Sequence, residues 1–237
     1  MSEKNIDLSI ILPIFNPHEG WNIELSQSLL LISQALNTIN YQFVIVNDGS
    51  LKNIDEEINV ITENIPNINY YSYEINKGKG NAIRYGMKCS LSEYYIYTDW
   101  DFPFGEKAVI DIYNSLKTSK YDLIIGLRDK SYYLNLPYSR KVISKSVQMF
   151  NYFITGFKIK DTQAGLKGLN HNIKDIFLST KTNGYIFELE FIRKCLKNKV
   201  SYSLIDVKAK EGIKFSTFKP ITIFKEIKNV IKLLLIS

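Results

Sequence analysis

Apolar and polar positions follow two alternating rhythms through the first half of this 237-residue chain. Short, nearly continuous apolar runs of strand length occupy residues 8–15 (LSIILPIF), 42–46 (QFVIV), 69–74 (NYYSYE), 94–98 (YYIYT) and 121–126 (YDLIIG), and predict five strands. Pro13 lacks the N–H that a ladder needs, so the first strand is expected to end near it. Between the runs the apolar spacing lengthens. Residues 21–39 carry Ile23, Leu25, Leu29, Leu30, Ile32 and Leu36 at helical intervals. Residues 53–64, 80–91 and 105–118 also fit helices, the last through Val109, Ile110, Ile112, Tyr113 and Leu116.

Buried strands alternating with amphipathic helices imply an α/β fold with a mainly parallel sheet covered by helices. Such sheets bind ligands beyond the carboxyl ends of their strands. The chemistry is therefore expected just after residues 15, 46, 74, 98 and 126. The second half reads differently. A long amphipathic helix is expected over 139–156, a loop at Asp161–Gly165, a helix over 186–198, a strand over 200–207 and a final helix from Ile221 to Ile236. Residues 1–219 form the expected main domain and 220–237 a C-terminal amphipathic helix. No internal repeat or linker interrupts the pattern.

Composition narrows the picture modestly. Hydrophobic residues make up 45% of the chain, enough for a sizeable core without staples. The two cysteines, Cys89 and Cys195, lie far apart and in no metal-ligand spacing. A disulfide framework is not expected, a cytoplasmic setting is, and each cysteine reads most simply as a small buried apolar residue. The net charge of +6 favours polyanionic partners, but no block of Lys/Arg forms a nucleic-acid arm, and none is expected as a partner. The N-terminus shows no apolar signal core, and no run is long enough to suggest a membrane span.

Five short segments carry candidate chemistry, and all but the last fall where the predicted strands end. Asp99-Trp100-Asp101 follows YYIYT. Two carboxylates one residue apart can bracket a hard divalent cation such as Mg²⁺, with phosphate oxygens completing the shell. Asn47-Asp48-Gly49-Ser50 follows the second strand; alone it is a tight Asp-Gly turn with a helix cap. Asn76-Lys77-Gly78-Lys79-Gly80 precedes a helix, and its glycines and lysines suit an anion at a helix N-terminus. Arg128, after the fifth strand, and Arg140 beyond it can grip phosphate bidentately. Asp161-Thr162-Gln163-Ala164-Gly165-Leu166-Lys167 combines a carboxylate, an amide and a lysine, with Glu188 and Glu190 following. Those two glutamates point apart on a helix and together on a strand. His18 and His171 have no visible nucleophile or metal-ligand partner and are expected at the surface.

In order and spacing, SIILPIFNP, VIVNDGS, NKGKGNAIRYGM, TDWDFP, IIGLR, SRKVISKSVQMFNYFITG, DTQAGLKG, YIFELEF and the lysine-rich tail resemble glycosyltransferase family 2, and within it the dolichyl-phosphate mannose synthases and bacterial polyprenyl-phosphate transferases. The resemblance implies a GT-A fold and inverting transfer from a nucleotide-diphospho-sugar donor. It implies that Pro13 and Phe15 line the nucleotide site, Asp48 holds base or ribose, and Lys79 lies near the diphosphate. Asp99 and Asp101 flank Mg²⁺ or Mn²⁺. Arg128 and Arg140 meet a donor or acceptor phosphate, and Asp161, Gln163 and Glu190 sit near acceptor and transferred sugar. The chain departs from the family at Trp100, between the aspartates, at Pro103, and at Ala164 and Leu166.

The acceptor stays open at this stage between a polyprenyl phosphate and a sugar hydroxyl of a cell-surface glycan; a non-catalytic nucleotide binder is a third reading. A hydroxyl acceptor needs a proton acceptor, for which Asp161, Glu188 and Glu190 are candidates. In the tail, Ile221, Phe224, Ile227, Ile231 and Leu234 share a helical face with Lys225, Lys228 and Lys232 elsewhere. That pattern suits either packing on the domain or a peripheral place at the cytoplasmic membrane face.

Overall fold

The computed structural model describes residues 5–129, 132, 144–145, 148–149, 151–156, 159, 161–184 and 186–210. Arg140 and the 220–237 tail lie outside the described residues. Within the 139–156 stretch, the described residues 144–145, 148–149 and 151–154 are helical.

The first half builds as its pattern predicts. Strands β1 (Leu8–Ile14), β2 (Tyr41–Asp48), β3 (Ile68–Tyr73), β4 (Tyr94–Tyr97) and β5 (Leu123–Arg128) alternate with helices α1 (Trp21–Ala35), α2 (Asp55–Asn64), α3 (Lys79–Lys88) and α4 (Gly105–Thr118). Then come β6 (Lys167–Asn170), a short 3₁₀ turn, α5 (Lys174–Leu178), α6 (Phe187–Lys197) and β7 (Tyr202–Val207). One seven-stranded sheet has the order β3-β2-β1-β4-β6-β5-β7. All neighbours are parallel except β6, which runs antiparallel between β4 and β5.

Pro13 does not end β1. Its register partner is Val46 on β2, while the β1–β4 ladder stops at Ile11. Ile11 accepts from Thr98 on the β4 side, so the missing N–H of Pro13 points past the end of β4, where no ladder bond is lost.

The sheet buries both faces. Leu8, Ile10, Leu12, Phe43 and Ile45 join Trp21, Leu25, Leu29 and Ile32 of α1 on one side. Ile11, Val44, Val46, Tyr95 and Tyr97 join α3 and α6 on the other. The inward stripe of α1 is Trp21, Leu25, Ser28, Leu29 and Ile32. Ile23 and Leu30 face solvent, because the stripe starts at Trp21 rather than two residues later. Close layers need glycines at two contacts. A Cβ on Gly86 would lie 2.7 Å from Ile11 Cγ2, and one on Gly168 would strike Ile112 of α4.

Strand β6 was not foreseen. Its four residues hold a lysine and a glycine, so no apolar alternation announces it. Cys195 is buried as expected, and its thiol is pushed up to about 12 by that burial. Cys89 is exposed instead, because it caps the end of α3 where the helix leaves the core. His18 and His171 both lie at the surface.

Candidate active site

The carboxyl ends of β1, β2, β4 and β5 gather most of the expected residues on one rim. Asp48 ends β2 and is only 2% exposed. Its carboxylate accepts from the Tyr73 hydroxyl (2.6 Å), Asn76 Nδ2 (2.9 Å), and the backbone amides of Lys77 (2.8 Å) and Gly78 (2.9 Å). Asp48 thus pins the 76–78 loop across the end of the sheet. Gly49 allows this at φ +69°, since a Cβ there would meet the Asn76 amide nitrogen at 2.5 Å. Burial first, and the Asp48 bond next, raise the Tyr73 phenol above its ordinary value, which keeps it a donor. Beside it, Asn16 and Ser50 join the first two strand ends: the Asn16 amide donates to Ser50 Oγ and the Leu51 amide to Asn16 Oδ1. Pro13 is buried beneath this junction, and Phe15 stands 45% exposed at its rim.

Past β4, the pinned loop delivers Lys79 to the aspartate pair. Lys79 Nζ lies 2.5 Å from Asp99 Oδ1. Burial lowers the Lys79 pKa, but Asp99, Glu188 and Asp101 outweigh it, and the net shift is upward. Gly165, at φ +73°, turns directly over the pair; a Cβ there would sit 2.9 Å from Asp99 Oδ2 and 3.4 Å from Lys79 Nζ. Trp100 tilts away against Trp21 and His18, with ring centroids 6.0 and 5.3 Å apart. Asp101 is exposed, yet the surrounding protein raises its carboxyl pKa, and the like charge of Asp99 adds to the rise.

Two ion pairs continue the line toward β5. Lys167 of β6 donates to Glu188 at 2.6 Å, with side chains 0% and 4% exposed. Burial lowers the Lys167 pKa against the pull of Glu188. Arg128, at the end of β5, meets Asp161 fork to fork through Nε (2.7 Å) and Nη2 (2.6 Å). Asp161 also accepts from the Gln163 amide at 3.1 Å, and Arg128 stacks on Tyr132 with 4.7 Å to the ring centroid.

Glu188 and Glu190 do lie on a helix and do point apart. Glu190 turns away from the aspartates and accepts from the amides of Lys181 (2.9 Å) and Thr182 (2.7 Å). It holds the 180–183 segment against α3, where Arg84 bonds Thr180 and Thr182 and the Gly80 amide bonds Asn183. The structure therefore brings Lys79, Asp99, Asp101, Arg128, Asp161 and Gln163 to one rim and sets Glu190 behind its wall. Lys167 and Glu188 are the residues whose partnership the motifs did not reveal. Only the interleaving of both segments with TDWD and IIGLR pointed to them.

A model described as Glycosyl transferase family 2 matches residues 9–177. The chain belongs to that family. It is 27% identical over 235 residues to the dolichyl-phosphate β-glucosyltransferase of Saccharomyces cerevisiae, covering 86% of this chain and 67% of that protein. It is 32% identical over 120 residues to the poly(ribitol-phosphate) β-N-acetylglucosaminyltransferase TarP of Staphylococcus aureus, covering 50% of this chain and 36% of TarP. The dolichyl-phosphate β-glucosyltransferase of Dictyostelium discoideum is 24% identical over 201 residues, covering 79% of this chain and 62% of that protein. Among solved structures, glucosyl-3-phosphoglycerate synthase of Mycobacterium tuberculosis, crystallised with Mn²⁺, UDP-glucose and phosphoglyceric acid, superposes with a TM-score of 0.69 at 12% identity, covering 97% of this chain and 79% of that one. That likeness establishes the GT-A fold, and the family establishes a glycosyltransferase.

For a family 2 transferase, the donor set at Asp99 and Asp101 fits a hard divalent cation. Along the rim, Asp101, Asp99, Glu188 and Asp161 face Lys79, Lys167 and Arg128. Among the described residues each of these three cations lies within ion-pair distance of one of the acids, while Asp101 feels Lys79 and Lys210 only at longer range. No group of three or more His, Cys, Asp or Glu side chains suited to a metal occurs among the described residues. Two carboxylates completed by substrate phosphate oxygens is the arrangement Mg²⁺ accepts.

Proposed function

We propose that this chain moves a sugar from a nucleotide-diphosphate donor to the phosphate of a polyprenyl-type lipid, inverting the anomeric centre, with Mg²⁺ or Mn²⁺ as its cation. The observation that carries the reading is the state of the three candidate proton acceptors. Asp161 is held in a fork by Arg128, Glu188 is buried against Lys167, and Glu190 caps the 181–182 amides. A sugar hydroxyl needs a base; a phosphate monoester oxygen is already anionic at neutral pH. Relatives named for dolichyl-phosphate glucosyl transfer support the same acceptor class.

In this reading Asp99 and Asp101 hold the cation, which when bound offsets charge on the departing nucleotide diphosphate. Lys79 adds a positive charge at the donor's diphosphate. Arg128, its plane fixed by Asp161 and Tyr132, meets the acceptor phosphate, joined by Arg140. Asp48 shapes the nucleotide pocket by pinning the 76–78 loop under the base and ribose, with Pro13 and Phe15 along its edge. Gln163 lies beside the transferred sugar, and Glu190 supports that side from behind. Catalysis is then positioning and charge stabilisation without a proton-transfer step. A lipid acceptor also calls for a membrane surface. No helix among the described residues is long and apolar enough to cross one; the candidate for a peripheral contact is the 220–237 segment, on its sequence pattern of apolar and lysine positions.

The TarP similarity favours a second reading, transfer to a hydroxyl of a cell-surface glycan, in which Asp161 must leave Arg128 to act as base. Purified protein with Mn²⁺ or Mg²⁺, a panel of labelled nucleotide sugars and polyprenyl phosphate separates the two. Label extracted into the lipid phase and abolished by EDTA is the expected result. Label appearing only on an added glycan, with the lipid untouched, would refute the lipid acceptor.

A further inference from the structure

Lys79 sits where the cation's first carboxylate should be waiting. Its ammonium contacts Asp99 Oδ1 at 2.5 Å, with the lysine side chain 23% exposed and the aspartate 39%. Gly165 turns over both groups: a Cβ there would sit 2.9 Å from Asp99 Oδ2 and 3.4 Å from Lys79 Nζ, so the missing side chain leaves the pair that space. Glu188 also attracts Lys79, but its carboxylate is taken by Lys167 at 2.6 Å. Asp101 attracts it too, yet no direct bond joins them. Among the described residues Lys79 therefore has one close partner, and that partner is a cation ligand.

We propose that Lys79 is the resident counter-ion of the cation site, holding Asp99 while the site is empty and passing to the donor's diphosphate when metal and nucleotide enter together. The inference rests on the reading of Asp99 and Asp101 as the cation's ligands. Metal arriving alone must share Asp99 with an ammonium, and two cations on one carboxylate repel at close range. A diphosphate arriving with the metal offers Lys79 new anionic oxygens and frees Asp99. Metal and nucleotide then help one another beyond the bonds they make directly, and the coupling is reciprocal.

The test is Mn²⁺ binding to the whole chain, followed by electron paramagnetic resonance without nucleotide and with saturating UDP or GDP. Lys79→Met is expected to bind Mn²⁺ on the order of tenfold more tightly than wild type when no nucleotide is present. With nucleotide the gain is expected to vanish or reverse. Lys79→Gln, which keeps a polar side chain at the first turn of α3, should behave alike and guards against a folding defect. Lys210→Met is the control for general charge, since Lys210 pairs with Glu106 and bears on Asp101 without touching Asp99. Unchanged Mn²⁺ affinity in Lys79→Met, or an equal gain with and without nucleotide as a simple charge effect gives, overturns the inference and leaves the cation site standing. A wild-type protein that binds no Mn²⁺ even with either nucleotide overturns the cation site itself, and this inference with it.

Discussion

Arg128 and Asp161 face each other through two parallel bonds of 2.7 and 2.6 Å, with side chains 15% and 7% exposed. The pair joins the end of β5 to the turn that covers Asp99, so it is a tie between strand and loop as much as a charge pair. Removing one partner of such a pair leaves the other charge poorly solvated. Asp161→Ala should cost about 3 kcal/mol of stability, read by urea unfolding. Asp161→Asn should cost less and raise the KM for the acceptor more than it lowers kcat, because it loosens Arg128 without removing a proton acceptor. A collapse of kcat with unchanged KM and a normal unfolding curve would instead make Asp161 the base.

Lys167 and Glu188 test a different principle. Both are fully or nearly buried, so each single change strands a charge, while a joint change to apolar residues removes both desolvation costs. Lys167→Met and Glu188→Leu should each lose about 3–5 kcal/mol, and the double variant should recover most of it. Chemical denaturation of the three variants decides the matter; additive losses would show that the pair's value lies in contacts other than charge.

These two pairs also mark how far the sequence could be read. The parallel strands and their helices were legible because each element buries a continuous apolar stripe that its own residues declare. The Asp99 and Arg128 positions were legible for the same reason: they stand at the carboxyl ends of such strands. Strand β6 was hidden because Lys167 reads as solvent-facing until Glu188, on a helix formed later in the chain, neutralises it. Glu190 was marked by the family resemblance, and its direction is set by α6, which turns it toward the 181–182 amides. The stripe of α1 was misplaced by its start, since Trp21 and not Ile23 opens it. Pairing between distant segments, rather than local propensity, is what one sequence leaves unstated.

Asp101 gives a pH signature. Desolvation by the surrounding protein and the charge of Asp99 raise its carboxyl pKa in the fold, so the folded protein holds that proton more tightly than the unfolded chain does. The stabilising contribution is full below the ordinary carboxylate range, about pH 4, and is lost as pH rises through the folded value. At neutral pH the ionised group is a liability that a divalent cation relieves. Melting temperature should therefore rise on adding Mg²⁺ or Mn²⁺ at pH 7 and hardly at pH 4. Asp101→Asn should melt at or slightly above the wild-type temperature without metal, show no metal-induced rise, and lose metal-dependent transfer. Full activity in that variant would remove Asp101 from the cation site.

The acceptor question has its own pH test, and it does not depend on knowing the sugar. If the nucleophile is a lipid phosphate, the rate should climb with the second phosphate ionisation, near pH 6, and then stay level to about pH 8. No protein carboxylate sets that limb, so Asp161→Asn and Glu190→Gln should change its height and not its midpoint. If the nucleophile is a hydroxyl, the rising limb belongs to a side chain and must shift or disappear when that side chain is replaced. Asp161 is the sharper of the two probes. Freed from Arg128 it could take a proton, whereas in the fork its oxygens accept from Arg128 and from the Gln163 amide. A midpoint that moves with Asp161→Asn would transfer the assignment from a phosphate acceptor to a glycan.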